Sequence, residues 1–201
     1  MKQKKDIMLA SASLRRSRIL MDCKIKHMIY VSGAEEDMKG RRDISEIVQK
    51  NAICKASTVV EEVNDAEKYI VIGADTLVAF EGDIIGKPDD ESTARNMLKR
   101  FSGKSLDVYT GVCVINCKEG KEAHGFEKSS INVISLEDKD IEKYFHLLAP
   151  YDKAGGFSIE GVGSMIFDNI VGSYFNILGL PMIKLAELFE EAEEDILDYV
   201  R

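Results

Sequence analysis

The run KYIVIGADTLVAF at 68–80 constrains the fold more than any other stretch of the chain. Its apolar residues are nearly continuous, as in a strand covered on both faces, with an interruption at GADT. It predicts a buried central strand that breaks at 73–76. Asp75 then ends that strand, where open α/β sheets carry their functional residues, and an ionised side chain there has to be solvated, paired or metal-bound. The plainer use of the same residue is as a cap for the following turn, with Thr76 assisting.

Other elements gather around this strand. DIMLA (6–10) and HMIYVS (27–32) read as strands, and EGDIIGKP (81–88) as a hairpin turn with a short strand. The runs 106–117 and 122–135, joined by KEGK, read as an antiparallel pair. A helix follows Ser11 and Ser13 with Leu14, Ile19 and Leu20 on one face. A second starts at Asp43, which has capping-box spacing to Glu46, and carries Ile44, Ile47, Val48, Ala52 and Ala56 to about Val63. Pro88, Asp89 and Asp90 begin a third, bearing Ala94, Met97, Leu98 and Phe101. SLED caps a fourth with Ile141, Tyr144, Phe145 and Leu148, ending before Pro150. The stretch 151–181 is glycine-rich yet apolar, which predicts ordered loops and strands near a site. From Pro181 an amphipathic helix carries Ile183, Leu185, Leu188, Phe189, Ile196 and Leu197, and its EEAEED run reads as a solvated face.

Composition narrows the function. A length of 201 residues suits one domain, or one domain with two lobes, and a net charge of -8 argues against a protein that coats nucleic acid. No apolar run reaches the roughly 20 residues of a membrane helix, and Lys2, Lys4 and Lys5 precede only a short apolar strand. No membrane partner and a cytoplasmic location are therefore expected. Cys23, Cys54, Cys113 and Cys117 form no CxxC pair; Cys113 and Cys117 would face one side of a strand as core thiols. His27, His124 and His146 lack metal-ligand spacing and read as surface or packing residues.

The residues suited to chemistry are basic and acidic. Arg15 and Arg16 occupy the first turn of a helix, where unpaired N–H groups already favour an anion and guanidinium forks add bidentate phosphate recognition. Arg18 reads as surface. Lys87, between a tight turn and Pro88, and Lys55, one turn after Asn51, offer further cations. FSGKS (101–105) is not a phosphate loop, because Leu98 stands where the motif needs glycine and no strand precedes it. Glu35 and Glu36 lie in the charged loop GAEEDMKGRR (33–42). Carboxylates with nearby Lys and Arg suit a hard divalent cation bridging to substrate phosphates. Neither GxSxG nor GxGxxG competes. The residues alone point to a metal-assisted reaction on a phosphorylated small molecule.

Taken in order, LASASLRR, the loop with Glu35 and Glu36, NAICKA, VIGADTLV, GKP, VYTGV, DKAGGFSIEG and GSYFNILGLP resemble the Maf family of nucleoside triphosphate pyrophosphatases, from Ile7 to about Leu188. The resemblance implies a single Maf-like domain over 1–201 with an elongated α/β fold of the Maf/HAM1 (ITPase-like) type: a mixed, curved sheet flanked by helices, and two lobes around a cleft. It implies hydrolysis of a nucleoside triphosphate to the monophosphate and pyrophosphate with Mg²⁺ or Mn²⁺, as house-cleaning of nucleotide pools. A homodimer and an association with septum formation come with it.

Carried over by position, the family's catalytic aspartate falls on Asp75, as proton acceptor for the attacking water or as metal ligand. Glu36 falls on the acid of the loop, sharing the metal. Lys55 and Lys87 fall on the lysines that meet the phosphates, and Ser11, Arg15 and Arg16 on the triphosphate-holding turn. Water would attack the α-phosphorus in line. A carboxyl with a pKa of about 4 is a poor base, so metal activation of the water is the larger expected effect.

The chain departs from the family at Leu14, usually proline, at Leu106, usually histidine, and at Ala149, usually glutamate. The specificity positions fall on Arg15, Thr76 and Glu160. The branch acting on dTTP and UTP carries Arg, Thr and Gln there, and the branch acting on 7-methyl-GTP carries Trp, Gln and Glu. Glu160 accepts but cannot donate like an amide, so it favours a base N–H edge over a carbonyl, leaving CTP and methylated bases open beside dTTP and UTP. The competing function is a nucleotide-binding regulator of septation without turnover; intact Asp75, Glu36, Lys55 and Lys87 count against it. Binding of a nucleic-acid polymer is disfavoured by the net charge and by the lack of aromatic interleaving.

Overall fold

In the computed structural model, which describes residues 5–34, 43–147 and 159–201, β3 (Tyr69–Phe80) is buried along nearly its whole length. It does not break at 73–76. What changes there is its neighbour: β1 (Asp6–Ala10) pairs with it in parallel only as far as Ala10 opposite Gly73, and β4 (Asp83–Ile85) pairs antiparallel with 78–80. Gly73 serves packing, not a turn. A Cβ at this position would lie 2.1 Å from the Ala52 carbonyl oxygen and 3.0 Å from the Ala56 Cβ. Helix α2 (Ile44–Glu62) thus lies directly on the strand. Gly111 on β5 (Ser105–Asn116) admits the same helix, since its Cβ would meet the Val48 oxygen at 2.2 Å. The β3–β4 hairpin turns on Glu81 and Gly82, both with positive φ (53° and 91°), as a two-residue loop requires.

Among the described residues, the strands form one mixed seven-stranded sheet in the order β2-β1-β3-β5-β6-β7, with β4 on β3. β2 (His27–Ile29) pairs in parallel with β1, and β7 (Phe167–Val171) antiparallel with β6 (Lys121–Val133). β5 and β6 are neighbours joined by a tight turn, which only antiparallel strands can make.

The chain divides into two compact units. The first takes Met1–Thr76, Thr110–Glu127 and Leu178–Arg201. It carries α1 (Leu14–Asp22) and α2, and fully buries Leu9, Leu20, Ile47, Ile70, Ile72 and Phe189. The second takes Leu77–Tyr109 and Lys128–Ile177. It carries α3 (Glu91–Phe101) and α4 (Asp138–Leu147) around Phe80, Leu98, Phe101, Leu106 and Ile131, with the Phe80 and Phe101 rings edge-on at 5.0 Å. Leu106, where the family has histidine, is a core residue. A short helix, α5 (Tyr174–Leu178), then leads to α6 (Met182–Glu191).

Several sequence expectations are corrected. Leu14 is 80% exposed, because the buried face of α1 runs through Arg16, Ser17, Ile19 and Leu20. Ile183 and Leu197 are likewise exposed, while Leu185, Leu188, Phe189 and Ile196 are buried. The acidic run is not all solvated. Its Glu194 accepts from Lys5 Nζ at 2.5 Å and from the Tyr199 hydroxyl at 2.8 Å, and Lys5 also donates to Asn116 Oδ1 at 2.7 Å. Leu148, Ala149, Pro150 and the 35–42 and 151–158 stretches lie outside the described residues. All four cysteines are free; Cys113 and Cys117 share one apolar cluster with Met8, Ala52 and Val71, and burial pushes both thiols up.

Asp43 and Asp90 cap α2 and α3 by accepting from Ser45 N (2.9 Å) and Thr93 N (2.7 Å), and these backbone donors hold both carboxyls below the usual 3.8. A lowered folded value means the cap contributes above the unfolded value and is lost as pH falls through the folded one. Asp43→Ala should lower the Tm by a few degrees at pH 7 and by progressively less as the pH falls below the usual carboxylate range, as thermal melts by circular dichroism will show.

Candidate functional site

Helix α2 presents Asn51 and Lys55 on one face, four residues apart, to Asp75 on β3. Lys55 Nζ donates to Asp75 Oδ1 at 2.7 Å, and Asn51 Nδ2 donates to Oδ2 at 2.9 Å. Asp75 is only 4% exposed. Its charge tolerates that burial because each oxygen has a donor and the ammonium offsets it. The aspartate is neither at a strand end nor a turn cap: it sits mid-strand, just past the last residue paired with β1.

Thr76, the next residue along β3, projects to the other face of the strand, as alternation demands. There it belongs to a second cluster built on Arg16, whose fork is spread over three segments of chain. Nε donates to the Gly179 carbonyl (2.8 Å), Nη1 to Ser11 Oγ (2.9 Å) and Nη2 to Thr76 Oγ1 (2.9 Å), with Thr110 Oγ1 3.0 Å from Thr76 Oγ1. Arg16 is 8% exposed, so its guanidinium ties the first helical turn to β3 and to the Gly179 turn. Gly179 has φ +99°, and a Cβ on it would press on Thr76 Oγ1 at 3.0 Å. Ser13 caps α1 by accepting from Arg16 N.

The structure therefore brings Asp75 and Lys55 together, and separately Ser11, Arg16 and Thr76. Arg15 is half-buried in the first turn of α1, and Arg18 is exposed. Lys87 and Glu160 belong to the second unit. Lys87 is exposed between β4 and the buried Pro88, and Glu160 is half-buried just before the 3₁₀ turn Gly161–Ile166. Glu36 lies outside the described residues. Sequence reasoning missed Thr110, Gly179 and the part taken by Asn51. The available signal for Asn51 was its four-residue spacing to Lys55 in NAICKA.

Among the described residues no group of three His, Cys, Asp or Glu side chains converges to hold a metal ion. The donor chemistry at Asp75 fits Mg²⁺ or Mn²⁺ all the same: these ions take hard oxygen ligands and are commonly held by one or two carboxylates together with waters and substrate phosphates. It does not suit a cation caged by protein alone. No helix among the described residues is long and apolar enough to cross a membrane.

Sheet, helices and clusters together define a mixed α/β protein with a buried, lysine-paired aspartate beside an arginine-tied turn. The chain belongs to the family described as Maf-like protein, whose family model matches residues 6–192. Three relatives named dTTP/UTP pyrophosphatase align over most of both chains. The one from Bacillus cereus is 39% identical over 192 residues, 96% of this chain and 98% of its own length. That from Dictyoglomus thermophilum is 36% identical over 195 residues, covering 96% and 100%, and that from Clostridioides difficile 38% over 186, covering 92% and 94%. Among solved structures, the Staphylococcus aureus Ham1 protein matches at 13% identity and a TM-score of 0.44, over 64% of this chain and 72% of that one. No part of the assignment rests on that partial overlap.

Proposed function

We propose that this chain hydrolyses dTTP and UTP to the nucleoside monophosphate and pyrophosphate, keeping unwanted nucleotides out of the pool. The observation that carries the reading is the buried Asp75 carboxylate with one donor on each oxygen; the names of the relatives support the substrate class. Water attacks the α-phosphorus opposite the bridging oxygen to the β-phosphate. As the new P–O bond forms, that bridge breaks, pyrophosphate leaves with the bonding pair, and Asp75 takes the proton from the water. Lys55 steadies Asp75 and, on the family resemblance, is a lysine that meets a phosphate oxygen. Lys87, Arg15 and Arg16 are further phosphate contacts on the family resemblance, and Ser11 belongs to the same turn. Asp75 and Glu36 are the residues that would hold Mg²⁺ or Mn²⁺, which lowers the pKa of a bound water and offsets triphosphate charge.

Arg15, Thr76 and Glu160 set the base on this reading. Glu160 accepts only, whereas glutamine also donates. Glu160→Gln should raise the ratio of kcat/KM for dTTP over CTP on the order of 10-fold, measured by pyrophosphate release for each nucleotide. A homodimer, a cytoplasmic location, a single Maf-like domain and a link to septum formation come from the family resemblance. The activity is tested with a panel of ordinary and modified nucleoside triphosphates and Mg²⁺ or Mn²⁺, with products identified by mass. Monophosphate plus pyrophosphate supports hydrolysis. Nucleotide binding with no pyrophosphate release from any base would replace it with a regulator that has no turnover.

A further inference from the structure

We infer that Asn51 is the positioning residue of Asp75, setting the rotation of its carboxylate for proton transfer; the inference rests on the proposed role of Asp75. A carboxylate on a strand is free to turn about its Cβ–Cγ bond unless both oxygens are held. Lys55 holds Oδ1 at 2.7 Å, and Asn51 holds Oδ2 at 2.9 Å. Both donors come from one helix, spaced four residues apart, so they act as two jaws of one clamp.

The clamp is rigid because its helix is seated on the sheet. Gly73 and Gly111 let α2 approach until its backbone oxygens at Ala52 and Val48 occupy the space where side chains would begin. Ala52 and Ala56, which flank the clamp residues, are fully buried, and Asn51 itself is 2% exposed.

The choice of asparagine is informative. An apolar residue of the same size would leave Oδ2 without this donor inside the protein. An aspartate would set two carboxylates face to face, and a second lysine would leave the cluster with excess positive charge. A neutral amide supplies a directed N–H and leaves the balance between Asp75 and Lys55 unchanged. Its contribution is orientation, not charge.

The test compares the wild-type protein with Asn51→Leu, which keeps the heavy-atom branching, adds some bulk and removes the donor. Crystal structures of both give the Asp75 orientation; steady-state kinetics with dTTP and UTP give kcat and KM; thermal melts give stability. The expected result is an Asp75 carboxylate turned about its Cβ–Cγ bond with Lys55 still in contact, kcat reduced on the order of 10-fold, and KM within twofold. Asn51→Asp should lose more kcat than Asn51→Leu. An unturned carboxylate in Asn51→Leu, or kcat within twofold of wild type, overturns the inference. A fall in Tm with unchanged kcat does the same, since it marks a purely structural residue. If wild-type protein releases no pyrophosphate from any nucleotide, the functional reading fails by itself, and the crystallographic comparison still decides whether Asn51 orients Asp75.

Discussion

Asp75→Asn should reduce kcat by about 10³-fold or more while the far-ultraviolet circular dichroism and the elution volume stay those of the wild type. The substitution keeps the shape of the side chain and an oxygen able to accept from one of the two donors. It removes the negative charge, and with it the acceptor for the water proton and the counter-charge of Lys55, 2.7 Å away. Some stability goes too, since the ammonium of a largely buried pair is left without its partner. Lys55 retains partial access to water at 12% exposure, which limits that loss. Turnover near the wild-type rate in a folded Asp75→Asn protein would remove Asp75 from the reaction.

Gly73→Ala should be strongly destabilising, as should Gly111→Ala on the neighbouring strand. The Cβ at position 73 would sit 2.1 Å from the Ala52 oxygen and 3.0 Å from the Ala56 nitrogen, and these are backbone atoms of a helix with no slack to yield. Either β3 or α2 has to shift, at a cost of roughly 3 kcal/mol or more, read as a lower urea midpoint. Activity falls with it because α2 carries both donors to Asp75. Gly86→Ala is the control: open space surrounds its Cβ and its φ is ordinary, so stability should change by less than about 0.5 kcal/mol. Equal effects at Gly73 and Gly86 would contradict the packing argument.

Gly73 marks the limit of what the sequence discloses. Apolar continuity exposed β3, helical recurrence exposed α2, and Asp43 and Asp90 announced the helix starts, because each is a local signal within a few residues. Glycine at 73 looked like a break because a break is its commonest local meaning; its actual cause is a helix more than 15 residues away in the chain. Leu14 looked buried by spacing, yet Arg16 takes the inner position, since the Gly179 carbonyl that receives its guanidinium lies 163 residues away. Glu194 looked solvated among acids, and its partner Lys5 is 189 residues distant. For the site, Asp75 and Lys55 were legible as candidates from residue type and motif, but their direct contact and the Asn51 bond depend on how closely α2 seats on the sheet. Long-range polar pairing leaves no periodic trace in a sequence.

The central claim is that water attacks the α-phosphorus and pyrophosphate leaves. Hydrolysis of dTTP in ¹⁸O-labelled water with Mg²⁺, followed by mass spectrometry of both products, tests it most directly. The expected products are dTMP carrying one ¹⁸O and unlabelled pyrophosphate. Label in pyrophosphate with unlabelled dTMP, or release of dTDP and phosphate, would contradict the account.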